Sequence, residues 1–187
     1  MACTALTKGR GLDCNRISGG IKNIYFAVFD QVTSIPQTAG EITDLEMGTN
    51  DLYKYVMPLG VSSLTDTIVG SRENGTIYYT PTCNIILNRL TKEDQNQIKL
   101  LGSTKVVAFA QLNATLTNGH DVIVGLGVSN GLELNAGTMD SGAAWGDRGG
   151  YTLTFDGIEA SPFPMVADYT SVPFDNAAFE IGTIVTS

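Results

Sequence analysis

The sequence predicts a mainly β fold, an antiparallel β-sandwich or barrel with one flanking α-helix and extended arms. Three observations carry that expectation. Long segments alternate apolar and polar residues with a period of two, two Asn-Gly dipeptides sit between such segments, and a single segment has the start and stop signals of a helix. At 187 residues the chain suits one domain, and we read 1–187 as a single unit.

Taken in chain order, a first strand is expected over Ile21 to Asp30. The stretch from Thr33 to Leu59 differs: Pro36, Gly40 and Gly48 interrupt it, Glu41, Asp44, Glu46 and Asp51 make it acidic, and it ends in the apolar, aromatic run Leu52 to Leu59. This composition suggests a long loop or hairpin arm over about 33–59 that leaves an adhesive patch exposed unless another copy covers it. A hairpin folded back on its own core is the alternative. Further strands are expected at Tyr53 to Leu59 and Val61 to Val69.

Asn74-Gly75 then introduces the strand from Thr76 to Asn88. Ile77, Tyr79, Pro81, Cys83, Ile85 and Leu87 fall on one side of it and Tyr78, Thr80, Thr82, Asn84 and Asn88 on the other. Pro81 cannot donate to a ladder and marks an edge or bulge. The helix follows: Thr91 can cap it, Glu93 and Asp94 occupy the first turn where the dipole favours negative charge, Lys99 lies near its end and Gly102 closes it. Its apolar face is little more than Ile98 and Leu101, so it must lie against a sheet.

Ser103 to Leu112 and Asp121 to Leu126 are rich in Val, Ile, Ala and Phe on both faces, which predicts strands covered on two sides, joined through Asn118-Gly119. A strand at Gly131 to Ala136 precedes Tyr151 to Asp156, where Tyr151, Leu153 and Phe155 alternate with Thr152, Thr154 and Asp156. Pro162, Pro164 and Pro173 break up the segment that follows, and Phe163, Tyr169 and Phe174 suggest that it lies against a surface, a C-terminal arm of about 160–187 with a last strand at Phe179 to Val185.

Composition narrows the function. A net charge of −8 with one histidine argues against gripping nucleic acid by phosphate neutralisation. Hydrophobic residues at 43% against 16% charged ones describe a chain that can build a core but carries little charge to keep its surface solvated, as expected of a subunit covered by neighbours. The N-terminus lacks the plan of a signal peptide and no apolar run reaches the eighteen or so residues of a membrane span. No membrane insertion is expected.

Chemistry is scarce. His120 follows Asn118-Gly119 at a hairpin tip, where an exposed histidine is ordinary. Gly125, Gly127 and Gly131 have the wrong spacing for a dinucleotide loop and precede a strand. Asp140, Asp147 and Asp156 match no calcium-loop spacing and read as turn formers. Cys3, Cys14 and Cys83 form no metal-binding pattern, and free thiols are the simpler reading over a Cys3–Cys14 disulfide. No cofactor, metal or catalytic residue is expected.

The order of several short patterns resembles a known family. GGIKNIYFA at Gly19 to Ala27, a long excursion, Glu73-Asn74-Gly75-Thr76 before a strand ending Asn88-Arg89-Leu90, a capped helix, Ser141-Gly142, and DRGGYTLTFDG at Asp147 to Gly157 together resemble bacteriophage tail tube (major tail) proteins, over roughly Gly19 to Val166. The resemblance implies a tail-tube-like sandwich with a helix at its side and six copies closing a ring. Stacked rings would enclose a channel through which viral DNA passes without specific binding, in a virion assembled in a bacterial cytoplasm. Its partners would be further copies of itself and other phage tail proteins. A negative channel wall suits that role because it repels phosphates. Under this reading Glu41, Asp44 and Glu46 are candidates for the channel wall, and Tyr53, Tyr55 and Met57 in the 33–59 arm are candidate anchors on neighbouring subunits. Trp145 is another candidate anchor, with core packing as its alternative. Two other roles remain open: a head–tail joining or other accessory virion protein, and the inner tube of a contractile injection or secretion machine.

Overall fold

The computed structural model describes residues 8–11 and 18–186. Cys3 and Cys14, and with them the question of their disulfide, lie outside the described residues. The strands run in chain order as β1 (Ile21–Val28), β2 (Gln37–Thr38), β3 (Glu41–Ile42), β4 (Leu45–Glu46), β5 (Leu52–Val56), β6 (Ser63–Ser71) and β7 (Thr76–Asn88). Helix α1 (Lys92–Leu101) follows, then β8 (Val106–Thr115), β9 (Asp121–Leu126), β10 (Glu133–Asp140), β11 (Gly150–Asp156), β12 (Met165–Val166), β13 (Phe179–Glu180) and β14 (Ile184–Val185).

Two sheets face each other. A four-stranded antiparallel sheet has the order β10-β11-β7-β6, and an eight-stranded sheet has the order β14-β5-β1-β8-β9-β12-β3-β2. Cys83, Ile85, Tyr151, Leu153 and Phe155 from the first sheet meet Ile24, Phe26, Ala108, Ala110, Val124 and Leu126 from the second in one buried core. The alternation read in β11 is thus real: Tyr151, Leu153 and Phe155 point inward and the threonines between them point out.

The eight-stranded sheet is also covered on its other face, as the density of apolar residues in β8 and β9 predicts. Residues of opposite parity, Tyr25, Ala27, Val107, Phe109 and Ile123, enter a second core with Ile42, Leu45, Met47, Leu52, Val166 and Phe174. This second core corrects both arm assignments. Residues 33–59 fold onto their own subunit: β5 pairs with β1, and Ile42, Leu45, Met47, Leu52 and Met57 are buried. The segment 160–185 lies over the same core, its strands β12, β13 and β14 pairing in parallel with β3, β4 and β5. Phe174 sits in a positive-φ backbone (67°) that a bulky side chain normally avoids, and its ring, 4% exposed, packs edge-on to Tyr25 and Phe109. The burial of that ring offsets the backbone cost.

A polar chain runs beneath this cover. Asn23 Nδ2 and Tyr25 Oη donate to Gln111 Oε1 at 2.7 and 3.0 Å, and Gln111 Nε2 and Lys22 Nζ both donate to Asp121 Oδ2 at 2.6 Å. Burial, with smaller repulsion from Tyr169 and Asp121, pushes the Tyr25 hydroxyl up to about 12, so it stays a donor.

Helix α1 closes one end of the sandwich. Asp94 N donates to Thr91 Oγ1 at 3.0 Å, Gly102 N donates to the Ile98 carbonyl at 2.9 Å, and Ile98 and Leu101 pack on the inter-sheet core. The turn glycines Gly75 and Gly119 adopt φ of 61° and 88°, the region Asn-Gly turns require.

Candidate assembly surfaces

The outer face of the four-stranded sheet is the first surface. In-register pairing lines up Ser63 with Asn84, Thr65 with Thr82 and Thr67 with Thr80 across β6 and β7, and Thr154 with Asn84 and Thr152 with Ile86 across β11 and β7. Thr154 Oγ1 donates to Asn84 Oδ1 at 2.7 Å. None of the four strands contains Lys, Arg or His. The acids on this face are Glu133, Asp140 and Asp156, since Glu133 pairs with Asp156 and Asp140 with Gly150 on the outward parity. Among the described residues, bases reach it from the rims, Lys105 at 3.3 Å from Glu133 and Arg148 bonded to Thr152 Oγ1. The result is a hydroxyl- and amide-rich surface with acids along one side.

Among the described residues both borders of that sheet are unpaired: β6 and β10 each have one neighbour. Such edges are templates for another strand. The borders are long, nine residues in β6 and eight in β10.

The β6–β7 hairpin also outruns the core. Burial along β7 begins at Pro81, so Ile77 and Tyr78 are exposed, as is Ile68 on β6, although Ile77 has the parity expected of the buried face. Gly157 N donates to the Pro81 carbonyl at 3.3 Å and Asp66 pairs with Pro81 on the other side, so the expectation of an edge or bulge is corrected: Pro81 lies on an inner strand with no register shift, its missing N–H costing one ladder bond. At the base of the hairpin Glu159 pairs with Tyr79, each N–H donating to the other's carbonyl at 2.8 Å. The Glu159 side chain, 4% exposed, accepts from Ser129 N and Asn130 N through Oε1 while Oε2 has no partner.

At the far end of β7 a groove of about 700 Å3 opens between β5 and α1, walled by Tyr53, Val56, Leu87, Arg89, Glu93 and Val185 among others. The candidate anchors divide here. Tyr53 lies at this groove and is exposed; Tyr55 is half-buried, edge-on to Phe26 at 5.5 Å. Burial raises the Tyr55 hydroxyl pKa, with smaller contributions from Asp94 and Tyr53. Met57 is 5% exposed within the inter-sheet core and is no surface anchor. Its N–H donates to the Lys22 carbonyl, which fixes the end of β5 against β1 and turns this side chain inward.

Trp145 is fully exposed, so the core alternative fails. Its loop is rigidly built: Asp147 Oδ2 accepts from Ala143 N and Ala144 N at 3.0 and 2.7 Å, bonds that lower the Asp147 pKa, and Gly142 N donates to Asp140 Oδ1. Glu41 lies in β3, a strand of the eight-stranded sheet, and Asp44 and Glu46 flank Leu45 of the second core; none of the three belongs to the four-stranded sheet. Asp44 Oδ1 accepts from Leu45 N, and the Glu46 backbone bonds with Ser34. They share no face with Glu133, Asp140 and Asp156, which sequence reading missed because parity, not acidity, marks the outward side.

His120 is held more firmly than a free tip residue. Nδ1 lies 2.8 Å from Asp168 Oδ1, Asn118 Nδ2 donates to the other carboxylate oxygen, and the ring stacks on Tyr169 at 4.5 Å. Hydrogen bonding to His120 is the main reason Asp168 has a lowered pKa. This cluster ties the C-terminal cover to the β8–β9 turn, because Tyr169 Oη also accepts from Asp121 N. Cys83 is buried and its thiol is pushed up to about 12, which makes it inert. Among the described residues no group of three or more His, Cys, Asp or Glu side chains could hold a metal, and no helix is long and apolar enough to cross a membrane.

Comparison with protein-family models, with curated proteins and with solved structures finds no match to this chain.

Proposed function

We propose that the chain is a structural subunit that assembles with copies of itself into closed rings. The particular assembly we infer is the tail tube of a bacteriophage, rings stacked around a channel for DNA. The observation that carries the reading is the four-stranded sheet with two long open borders and a face without basic residues in its strands.

The geometry of an even, antiparallel sheet favours ring closure. Successive strands alternate in direction, so β10 and β6 at the two borders run opposite ways. A rotation about an axis roughly along the strands carries β10 of one copy beside β6 of the next, and the two meet antiparallel. Six copies, the number the family resemblance implies, make a barrel about 50 Å across between backbones for strands ~4.8 Å apart tilted by ~40°. Side chains of the outer face then line a bore that admits a DNA duplex.

The wall chemistry fits passage over binding. Thr, Ser and Asn offer hydrogen bonds that water satisfies equally well, and Glu133, Asp140 and Asp156 repel phosphates. Channel acidity therefore moves from Glu41, Asp44 and Glu46 to these three. Negative-stain micrographs and light scattering of the purified protein test the proposal: rings or hollow tubes are expected, and a species that stays monomeric at high concentration overturns it.

A further inference from the structure

We infer that copies stack head to tail by docking the exposed tip of the β6–β7 hairpin of one copy into the groove between β5 and α1 of a second copy. This rests on the ring reading above and deepens it, since edge pairing within a ring uses the β6 backbone but leaves the apolar side chains at the tip and the groove unused.

Both parts lie on one strand. Ile77 and Tyr78 are at the start of β7, and Leu87 and Arg89, which wall the groove, are at its end or just beyond. The nine steps from Tyr78 to Leu87 span about 30 Å at ~3.3 Å each, so tip and groove lie at opposite ends of β7. Copies displaced along β7 bring one feature onto the other. The contact is heterologous and repeats without limit, as a tube requires.

The surfaces match in chemistry. The tip offers Ile68, Ile77 and Tyr78, apolar groups that the hairpin holds beyond its own core. The groove offers Val56, Pro58 and Val185 beside Tyr53 and Leu87. Charges match as well: the tip turn carries Arg72 next to Glu73, and the groove is lined by Glu93 and Asp94 of α1 together with Arg89. Each apolar group left in water forgoes roughly 25 cal/mol per Å2 of burial, which biases the tip toward an apolar seat. A hairpin is small for a stable pairwise interface, but a ring presents one tip and one groove per subunit to the ring beyond it, and simultaneous engagement multiplies weak contacts.

The second copy is the occupant we commit to because the tip is present on every subunit at the matching distance. The test uses the full-length protein and two variants. Ile68→Asp/Ile77→Asp alters the tip, where neither side chain contributes to the core, and Val56→Asp alters the groove at an exposed position. The expected result is that both variants keep the wild-type circular dichroism spectrum and form single rings that do not lengthen into tubes. Should the tip variant misfold, the groove variant reads the same contact from the other side. Variants that form tubes like the wild type overturn this inference alone, and so do folded variants that form no rings, because the hairpin would then belong to the ring contact. A wild-type protein that forms no rings overturns the proposed function itself.

Discussion

Single residues decide whether an apolar side chain is adhesive or structural. Tyr53 and Met57 lie four residues apart in one apolar run, yet Tyr53 faces the groove and Met57 faces the inter-sheet core. Met57→Asp buries an unpaired charge, and a loss of several kcal/mol is expected, about 3–5 by analogy with broken buried pairs. It should abolish cooperative thermal unfolding or lower its midpoint sharply. Tyr53→Asp adds a charge at an exposed site and should leave the midpoint within a few degrees of wild type. Equal destabilisation by the two would contradict the assignment. The spacing Tyr53, Tyr55, Met57 predicts one shared face, and Tyr55 and Met57 do both pack on the inter-sheet core; what the spacing does not show is where along β5 that core ends and leaves Tyr53 exposed.

At the scale of elements, the regular strands and the helix were legible and the cover was not. Thr76–Asn88 and Asp121–Leu126 have the expected bounds, Thr91, Glu93 and Asp94 take the roles their chemistry implies, and Gly102 ends the helix, though in right-handed rather than left-handed backbone. Residues 33–51 and 160–185 contribute to the second core through two-residue strands paired in parallel over more than a hundred positions. No local period marks such pairing, and its partners are remote in sequence. For β7 the alternation was visible but the end of the opposing sheet was not, which is why Ile77 reads as buried when it projects.

The cover also makes its own predictions. Gly182 N donates to the Asn50 carbonyl, and a Cβ at Gly182 would fall 2.5 Å from the Thr49 carbonyl oxygen and 2.7 Å from that of Asn50. Gly182→Ala should therefore release β13 and β14, seen as faster amide exchange there and earlier proteolysis near the C-terminus, with the four-stranded sheet protected as before. Acid should act similarly. Asp51 accepts from Thr183 N and Oγ1, and Asp168 from His120; both carboxyls are lowered below the usual 3.8 by these bonds. A depressed folded-state pKa contributes stability that is present above the unfolded value and lost as pH falls through the folded one. Exchange in 168–185 should thus accelerate below about pH 4, beyond the intrinsic effect of pH on exchange. Protection there that rises on acidification would contradict these two clamps.

The whole molecule combines a satisfied interior with unsatisfied borders. Its two cores are closed by residues 33–59 and 160–185 of the same chain, while among the described residues the outer edges of β6 and β10 have no strand beside them and the hairpin tip and Trp145 are exposed. That division underlies the proposal that copies meet through the four-stranded sheet, its hairpin and the groove between β5 and α1, surfaces that low charge content alone could not locate. The direct measurement is a cryo-electron reconstruction of the purified protein. The account predicts rings in which β10 of each copy continues the sheet from β6 of the next, with Thr82, Asn84, Thr154 and Asp156 facing the bore. An assembly whose bore is lined by Glu41, Asp44 and Glu46, or a compact monomer with β6 and β10 left in solvent, would contradict it.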